Sequence, residues 1–360
     1  TPRPHEPLFR DTIRDPGLNP YLFEMAKIRD QNTWVHMHEP EAATRKARDL
    51  VRMAVAKARL LEPLQNRSLD LNHAALVIGG GLGGLAAALE LAEQGFEVHL
   101  VEKEKELGGN LRKLHYLLGS GEKPQEKLKS LIERARGHKN IHLHVGMIIG
   151  EVAGSLGNFK TRLAGADGKE PLDIRHGVVI VATGAQEYKP KEYLYGQDPR
   201  VVTQSELEEI LALDQRSRLQ DVKSVVMIQC VGSRTKERPY CSRICCAHAI
   251  KNALKLKELE PETEVYVLYR DVRSYGFREE YYRKAREMGV VFLRYNDGDD
   301  PSVSKENGSL NVTVNDPVLG RPVTLRSDLL VLSTAVVPAP GNEDLSRKLK
   351  VPLNQDKFFL

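Results

Sequence analysis

Ala74-Ala75-Leu76-Val77-Ile78-Gly79-Gly80-Gly81-Leu82-Gly83-Gly84 is the stretch on which the fold turns. A short apolar run, 74–78, ends in Gly79-x-Gly81-x-x-Gly84, and Leu82 to Gln94 then reads as a helix. Such glycines let the backbone turn sharply against a pyrophosphate and aim helix N-terminal amides at the anion. A second strand, Glu97 to Glu102, closes on an acid at the place that accepts hydrogen bonds from a ribose 2′-hydroxyl. Glycines alone would describe only a tightly packed turn. With the strand, the helix and Glu102 at this distance they describe a dinucleotide-binding β-α-β unit.

The same texture continues outward. Ile141 to Val145, Phe159 to Leu163 and Gly177 to Val181 read as strands. Near Asp214 a second α/β unit begins, with a strand at 224–229, a helix over about 242–259, a strand from Glu264 to Tyr269, a helix from about Phe277 to Met288 and a strand from Val290 to Arg294. Polar hairpins follow, and the run Asp328 to Leu332 is expected to lead back to the first unit. Upstream, Ala43, Ala47, Leu50, Val51, Ala54, Ala58 and Leu61 share a helical stripe that starts at Pro40 and exits at Pro63, with most of the basic residues off it. This predicts a packing helix with a solvated basic face, and Trp34 is expected to anchor that extension. The fold class is α/β: two tandem Rossmann-like dinucleotide-binding domains with a helical N-terminal extension. The expected divisions are 1–73 for the extension, 74–213 for the first domain, 214–327 for the second, and 328–360 for a truncated return to the first.

The chain of 360 residues is 41% hydrophobic, and its 53 basic and 49 acidic residues leave a net charge of +4. That balance makes no case for nucleic-acid binding. No apolar run approaches membrane-spanning length, and the N-terminal residues have no basic head followed by an apolar core. Thr1 at the start and Phe358-Phe359-Leu360 after a strand approach lead us to expect an interior piece of a longer protein.

All four cysteines, Cys230, Cys241, Cys245 and Cys246, fall within seventeen residues directly after the strand at 224–229. A tight cluster without a secretion signal reads as metal-binding or redox and points to the cytoplasm. Its position matters as much as its composition: a second glycine-rich loop would lie here if this unit held a nicotinamide cofactor, and the single Gly232 is a poor cradle for a pyrophosphate. Cys241, Cys245 and Cys246 are expected at or inside the start of the next helix, Cys241 and Cys245 on one face. Helix amides with Arg234, Lys236, Arg238 and Arg243 are expected to lower the thiol pKa values. Four thiolates suit a [4Fe–4S] cluster or an all-cysteine zinc site; a Cys245–Cys246 thiol–disulfide pair or plain buried cysteines remain open. The zinc reading lacks the usual paired CxxC knuckles. His248 reads as a neighbour of the site or a substitute ligand.

Two resemblances extend this reading. After Glu102 comes Lys103-Glu104-Lys105-Glu106-Leu107-Gly108-Gly109-Asn110, and later Ala182-Thr183-Gly184; with the first loop these resemble the FAD-binding domain of the glutathione and thioredoxin reductase superfamily. That likeness implies FAD held by Gly79, Gly81, Gly84, Glu102, Lys103, Gly108, Gly109, Asn110, Thr183 and Gly184. The stretches IQCVGSRTKERPYCSRICCAHAIKNALKLKELEP (228–261), GLNPYLFEMAKIRDQNTWVH (17–36), DPRVVTQSELEEIL (198–211) and YRDVRSYGFREEYYRKAREMGV (269–290) resemble the A subunit of heterodisulfide reductase. This second likeness implies a [4Fe–4S] cluster on the four cysteines and an electron-distributing or bifurcating oxidoreductase subunit with no catalytic acid or base. The implied partners are the B- and C-type subunits, a hydrogenase, formate dehydrogenase or NADH-oxidising donor module, and ferredoxin. The rival reading is a stand-alone NAD(P)H-dependent flavin disulfide reductase using Cys245 and Cys246; a zinc-bearing binding scaffold is the non-enzymatic rival. Family members commonly carry a cysteine in the segment before Trp34-Val35-His36, where this chain has Asn32, so any N-terminal cluster is expected to be absent or differently ligated. Ferredoxin-type CxxCxxCxxxCP motifs and the later FAD-closing segment are also missing from this sequence.

Overall fold

The computed structural model describes residues 3–66, 68–119, 123–165, 170–212 and 219–360. The chain divides into two compact units, 1–70 and 71–360.

The N-terminal unit holds helices α1 (Glu6–Arg14) and α2 (Pro40–Ala58), joined through a π-turn at Arg29–Thr33. Ala43, Ala47, Leu50 and Ala54 form a half-covered stripe on α2, as their spacing predicts, but none of them is buried. Asn32 is the one buried side chain among this unit's described residues, donating from Nδ2 to the Ala43 carbonyl at 2.9 Å. Trp34 does not anchor the unit: it is 52% exposed, with the Arg29 guanidinium 5.3 Å from its ring centre.

The larger unit repeats one architecture twice. Its first part runs β1 (Ala75–Ile78), α3 (Leu82–Glu93), β2 (Val98–Glu102), α4 (Pro124–Gly137), β3 (Ile141–Val145), the meander β4 (Met147–Ser155), β5 (Asn158–Gly165) and β6 (Leu172–His176), then β7 (Val178–Val181). The sheet order is β3-β2-β1-β7, all parallel. β1 is central and covered on both faces, hence its continuous apolar run. One face packs Leu85, Ala88 and Leu89 of α3 and Leu128 and Ala135 of α4. The other packs Met147, Ile149, Leu163 and Ile174 of the antiparallel meander.

A short strand β8 (Ala185–Glu187) leads into the second part: β9 (Val201–Thr203), α5 (Gln204–Ala212), β10 (Ser224–Val231), α6 (Cys245–Leu259), β11 (Glu264–Tyr269), α7 (Glu279–Glu287), β12 (Val291–Arg294), the meander β13 (Ser302–Glu306), β14 (Ser309–Asp316) and β15 (Arg321–Ser327), then β16 (Leu329–Thr334). The sheet order β12-β11-β10-β16-β9 is again parallel, with α5, α6 and α7 on one face and the meander on the other.

Two expected boundaries move. The run Asp328 to Leu332 does not return to the first domain, because β16 pairs with β10 and β9 inside the second sheet. β9 and α5, placed in the first domain from sequence, belong to that sheet for the same reason. The division expected at 213/214 touches 213–218, which lie outside the described residues. The return comes later, through β17 (Val336–Pro338), antiparallel to β8, and α8 (Asn342–Leu349), whose Leu345 packs with Leu76, Ile78 and Ile149 of the first part. Lys348 also donates to the Ile149 carbonyl at 2.7 Å.

Candidate functional site

The first site grows from the end of β1. Gly79 has φ +113°, and a Cβ there would sit 2.3 Å from the Ala182 carbonyl; one on Gly84 would sit 1.7 Å from the Gly79 carbonyl. Both glycines are therefore required by space, which brings the α3 N-terminus hard against the strand turn. Gly108 donates to the Gly80 carbonyl at 2.7 Å and bridges to Gly81, so the second glycine pair lies beside the first loop. Gly109, at φ +50°, faces the Gly81 backbone. Glu102 is buried and holds the loop through its carboxylate, accepting from the Gly80 amide at 2.7 Å and the Glu104 amide at 2.9 Å. An ionised carboxylate has acceptor capacity for more than these two bonds, so a ribose hydroxyl can share it. Asn110 is exposed and ties this loop to the Ala185 carbonyl at 2.9 Å; Lys103 is exposed; Thr183 donates to Asn342 at 3.1 Å; Gly184, at φ +66°, faces open space. The α3 N-terminus has no side-chain cap and no acid in its first turn, leaving its amides free for an anion. Sequence reasoning missed two members: the Gly80 amide that Glu102 grips, and Asn342, whose partner Thr183 lies 159 residues away in sequence.

The second site begins where β10 should turn into a nucleotide loop. Instead the strand bulges at Cys230, which adopts φ +63°. The chain then folds back, with Arg234 donating its amide to the Tyr240 carbonyl at 3.1 Å and Thr235 its amide to the Arg238 carbonyl at 3.1 Å. A Cβ on Gly232 would collide with the Tyr188 ring, over which the Arg238 guanidinium stacks at 4.3 Å. The far end of the loop is bound to β17: Tyr240 Oη donates to the Val336 carbonyl at 3.0 Å, and Ser242 Oγ accepts from the Val336 amide at 2.9 Å. Since β17 pairs with β8, which follows Gly184, the cysteine loop and the glycine site are two ends of one short ribbon.

All four cysteines are free thiols; Cys230, Cys245 and Cys246 are buried and Cys241 is half-buried. Helix α6 opens at Cys245, so Cys241 lies in the loop before it and the shared helical face expected for Cys241 and Cys245 does not form. Cys245 lies within electrostatic reach of the other three. The expected uniform lowering of the thiol pKa values does not hold either. Burial pushes Cys230 up, assisted by Cys246; Cys245 is pushed up by its hydrogen bond to Cys246 and by burial. Cys246 is lowered, to about 7, because its sulfur accepts from Cys245 against the opposing effect of burial. In a dry site the loss of hydration outweighs the nearby guanidinium groups. His248 is not at the sulfurs: its Nε2 meets the buried Glu208 carboxylate at 2.8 Å.

Among the described residues, no group of three or more His, Cys, Asp or Glu side chains converges closely enough to hold a metal ion. The donor set still fits a polynuclear cluster in its chemistry, because such a cluster spreads four thiolates over four metal atoms rather than gathering them on one. Three buried polar atoms have no hydrogen-bond partner on residues that neighbour Cys230 in sequence or interact with it electrostatically: Gln229 Oε1, Ser233 Oγ and Arg270 Nε. Native cores leave few such atoms unpaired, and each signals a missing partner or a function.

Comparison with known proteins places this arrangement. The family model for pyridine nucleotide-disulphide oxidoreductases matches residues 73–228 and ends just ahead of Cys230. The A subunit of the H2:CoB-CoM heterodisulfide,ferredoxin reductase of Methanothermobacter thermautotrophicus is 33% identical over 451 aligned positions, covering all of this chain and 68% of the relative. The chain belongs to the family of heterodisulfide reductase A subunits. It is accordingly an oxidoreductase. A second member, the iron-sulfur A subunit of the CoB–CoM heterodisulfide reductase of Methanocaldococcus jannaschii, is 34% identical, again covering all of this chain and 68% of the relative. Among solved structures, Lactococcus lactis thioredoxin reductase superposes with a TM-score of 0.51 at 14% identity, covering 80% of this chain and 84% of that one. That likeness fixes the fold as thioredoxin reductase-like α/β. No described helix is long and apolar enough to cross a membrane.

Proposed function

We propose that this chain is the electron-distributing component of a heterodisulfide reductase-type complex in the cytoplasm, holding FAD in the first part of its larger unit and a [4Fe–4S] cluster in the second. FAD supplies electron exchange in pairs or singly, and an iron–sulfur cluster exchanges single electrons, so together they join two-electron and one-electron partners. Gly79, Gly81, Gly84, Gly108 and Gly109 would admit the pyrophosphate, Glu102 the ribose, and Lys103, Asn110, Thr183 and Gly184 would border the flavin's side of the cleft. Cys230, Cys241, Cys245 and Cys246 would ligate the cluster. The names of relatives that couple heterodisulfide to hydrogen, F420H2 or ferredoxin support donor modules and ferredoxin as partners, with B- and C-type subunits completing the complex and bifurcation as its mode.

The observation that carries this reading is the cysteine loop itself, built where a nicotinamide loop would stand and hydrogen-bonded to the ribbon that leads from Gly184. The position that reads the ribose supports it too. In the first part the second strand ends in Glu102; in the second part Arg270 follows β11, turned inward onto Asp300 at 2.9 Å. A cation held in that way offers nothing to a ribose diol.

The experiment is anaerobic iron, sulfide, zinc and flavin analysis of the chain and of Cys245→Ala. Expected are iron, sulfide and FAD in the parent, and loss of iron with FAD retained in the variant. Zinc without iron or sulfide would overturn the electron-transfer reading. Stoichiometric flavin bleaching by NADH or NADPH with the chain alone would establish the stand-alone reductase instead.

A further inference from the structure

Cys230 and Arg270 each follow the last β10–β11 pair, Ile228↔Leu268, by two residues, and the two side chains lie within electrostatic reach of each other. Arg270 is only 9% exposed. Its Nη1 donates to the Arg234 carbonyl at 2.9 Å and meets Asp297 at 3.4 Å, its Nη2 meets Asp300 at 2.9 Å, and its guanidinium stands 5.7 Å from the Tyr295 ring centre. Both Nη atoms of this side chain thus meet acceptors, whereas Nε is buried and has no hydrogen-bond partner. Three residues after Cys230, Ser233 is 1% exposed, donates its amide to the Cys230 carbonyl at 3.0 Å and leaves its hydroxyl unpaired. Two donors are thus buried without hydrogen-bond partners in the neighbourhood of Cys230.

A buried donor with no partner is destabilising, because it has given up its water without gaining an acceptor. The acid groups around Arg270 do not supply one: Asp297 and Asp300 are mostly exposed and meet Nη1 and Nη2 rather than Nε. The Gln229 Oε1 atom, an acceptor, meets neither of the two donors. An acceptor that arrives with the sulfurs would answer both.

We propose that Arg270 and Ser233 set the reduction potential of the cluster bound at Cys230, Arg270 by a fixed inner charge and Ser233 by a hydrogen bond to sulfur, both favouring the reduced form. This rests on the cluster assignment above. When the cluster takes one electron from a titrant such as dithionite, its charge falls by one. A nearby cation and a donor to sulfur stabilise that added charge and raise the potential. A nearby carboxylate does the reverse, so Asp300 opposes Arg270 across the same guanidinium.

The test is an anaerobic redox titration of the iron- and sulfide-loaded chain, followed by electron paramagnetic resonance, on Arg270→Gln, Ser233→Ala and Asp300→Asn. At a fixed poise the reduced-to-oxidised ratio is expected to fall about tenfold in Arg270→Gln, a shift of about 59 mV for one electron. It is expected to fall about threefold in Ser233→Ala and to rise in Asp300→Asn. A merely structural role would move all three in one direction. Should Arg270→Gln fail to fold, the opposite signs for the two milder substitutions still decide. A loaded cluster whose potential is unchanged in Ser233→Ala and Asp300→Asn overturns this inference and leaves the cluster assignment standing; a parent chain that binds no iron or sulfide overturns the assignment itself.

Discussion

Gly84→Ala against Gly83→Ala is the sharpest comparison available at the glycine loop, because the two residues are neighbours and differ only in space. Neither has a positive φ, so conformational freedom is not at issue. At Gly84 a methyl would lie 1.7 Å from the Gly79 carbonyl, and no contact under 3.0 Å is tolerated, so α3 must retreat from the strand turn by ~1.3 Å or more. A hydrogen bond of ordinary length from a first-turn amide to a phosphate would then stretch beyond about 4 Å and be lost. Such charge-assisted bonds contribute about 1.5–3 kcal/mol each, and 1.4 kcal/mol is a factor of ten. Losing one or two predicts an FAD dissociation constant raised on the order of 10- to 10,000-fold. Overpacking would also lower the stability of the FAD-free protein by about 1–3 kcal/mol. At Gly83 a methyl meets nothing within 4 Å, and alanine favours the helix by roughly 0.5–1 kcal/mol. That variant should bind FAD like the parent and melt about 1–3 °C higher. The assay is fluorescence titration of flavin-free protein with FAD, paired with thermal unfolding without ligand. Equal affinity in both variants, or loss at Gly83 with retention at Gly84, would refute the claim that close approach of α3 to Gly79 makes the binding loop.

Two further outcomes follow from buried charge. Glu208 is desolvated, yet His248 at 2.8 Å and Lys251 at 2.6 Å hold its pKa down at about 2. The stability this carboxylate contributes is complete above the ordinary carboxylate range and is lost as pH falls through about 2, so Glu208→Gln should cost about 3–5 kcal/mol at pH 7, read by denaturant unfolding, by stranding Lys251. His99, His144 and His176 are all lowered by burial first, His144 and His176 to about 4, with other histidines adding repulsion, while Glu97 opposes this at His99. These bases stay neutral in the fold and gain protons on unfolding, so stability should fall as pH drops from about 6.5 toward 4; a His144→Asn variant that melts with the parent's pH dependence over that window would contradict this.

Much of the fold was legible because the two parallel sheets write themselves plainly. β1, β10 and β16 are covered on both faces, so each appears as an unbroken apolar run, and the glycines between β1 and α3 are demanded by backbone contacts inside one short segment. What was not legible depended on pairing at long range. Nothing in Leu329–Thr334 says that it lies between β10 and β9 rather than in the first sheet; a both-faces-buried strand suits either. Cys241 misled for a local reason: Arg243 takes φ +64°, which ends any helical path before Ile244 and leaves Cys241 outside α6. The contacts of Glu208 with the amides of His115 and Tyr116, and of Tyr116 Oη with Asn252 at 2.7 Å, join positions more than 90 residues apart and carry no sequence signal. Those contacts bind the segment after the second glycine pair to α5 and α6.

The cysteine loop is expensive to build, and that cost bears on what it does. Three residues other than glycine within fourteen positions, Cys230, Arg234 and Arg243, take left-handed φ values between +56° and +64°. None has the small polar side chain that eases this conformation, so each costs on the order of 1 kcal/mol. Unpaired buried donors at Ser233 and Arg270 add to the same instability. A loop that served only to connect β10 to α6 could lose all of these features through ordinary substitutions, glycine at the left-handed positions and apolar residues at the orphaned ones. Their presence together, around four free thiols and on a ribbon leading to Gly184, is the pattern of strain held at a functional site. The same loop in a nicotinamide-binding unit would need glycines and an acid at the end of β11. Here the turn carries the single Gly232 in place of a glycine-rich run, and an arginine stands in the acid's place, so in the reading proposed above the departure from nucleotide binding and the gathering of thiols are one structural change.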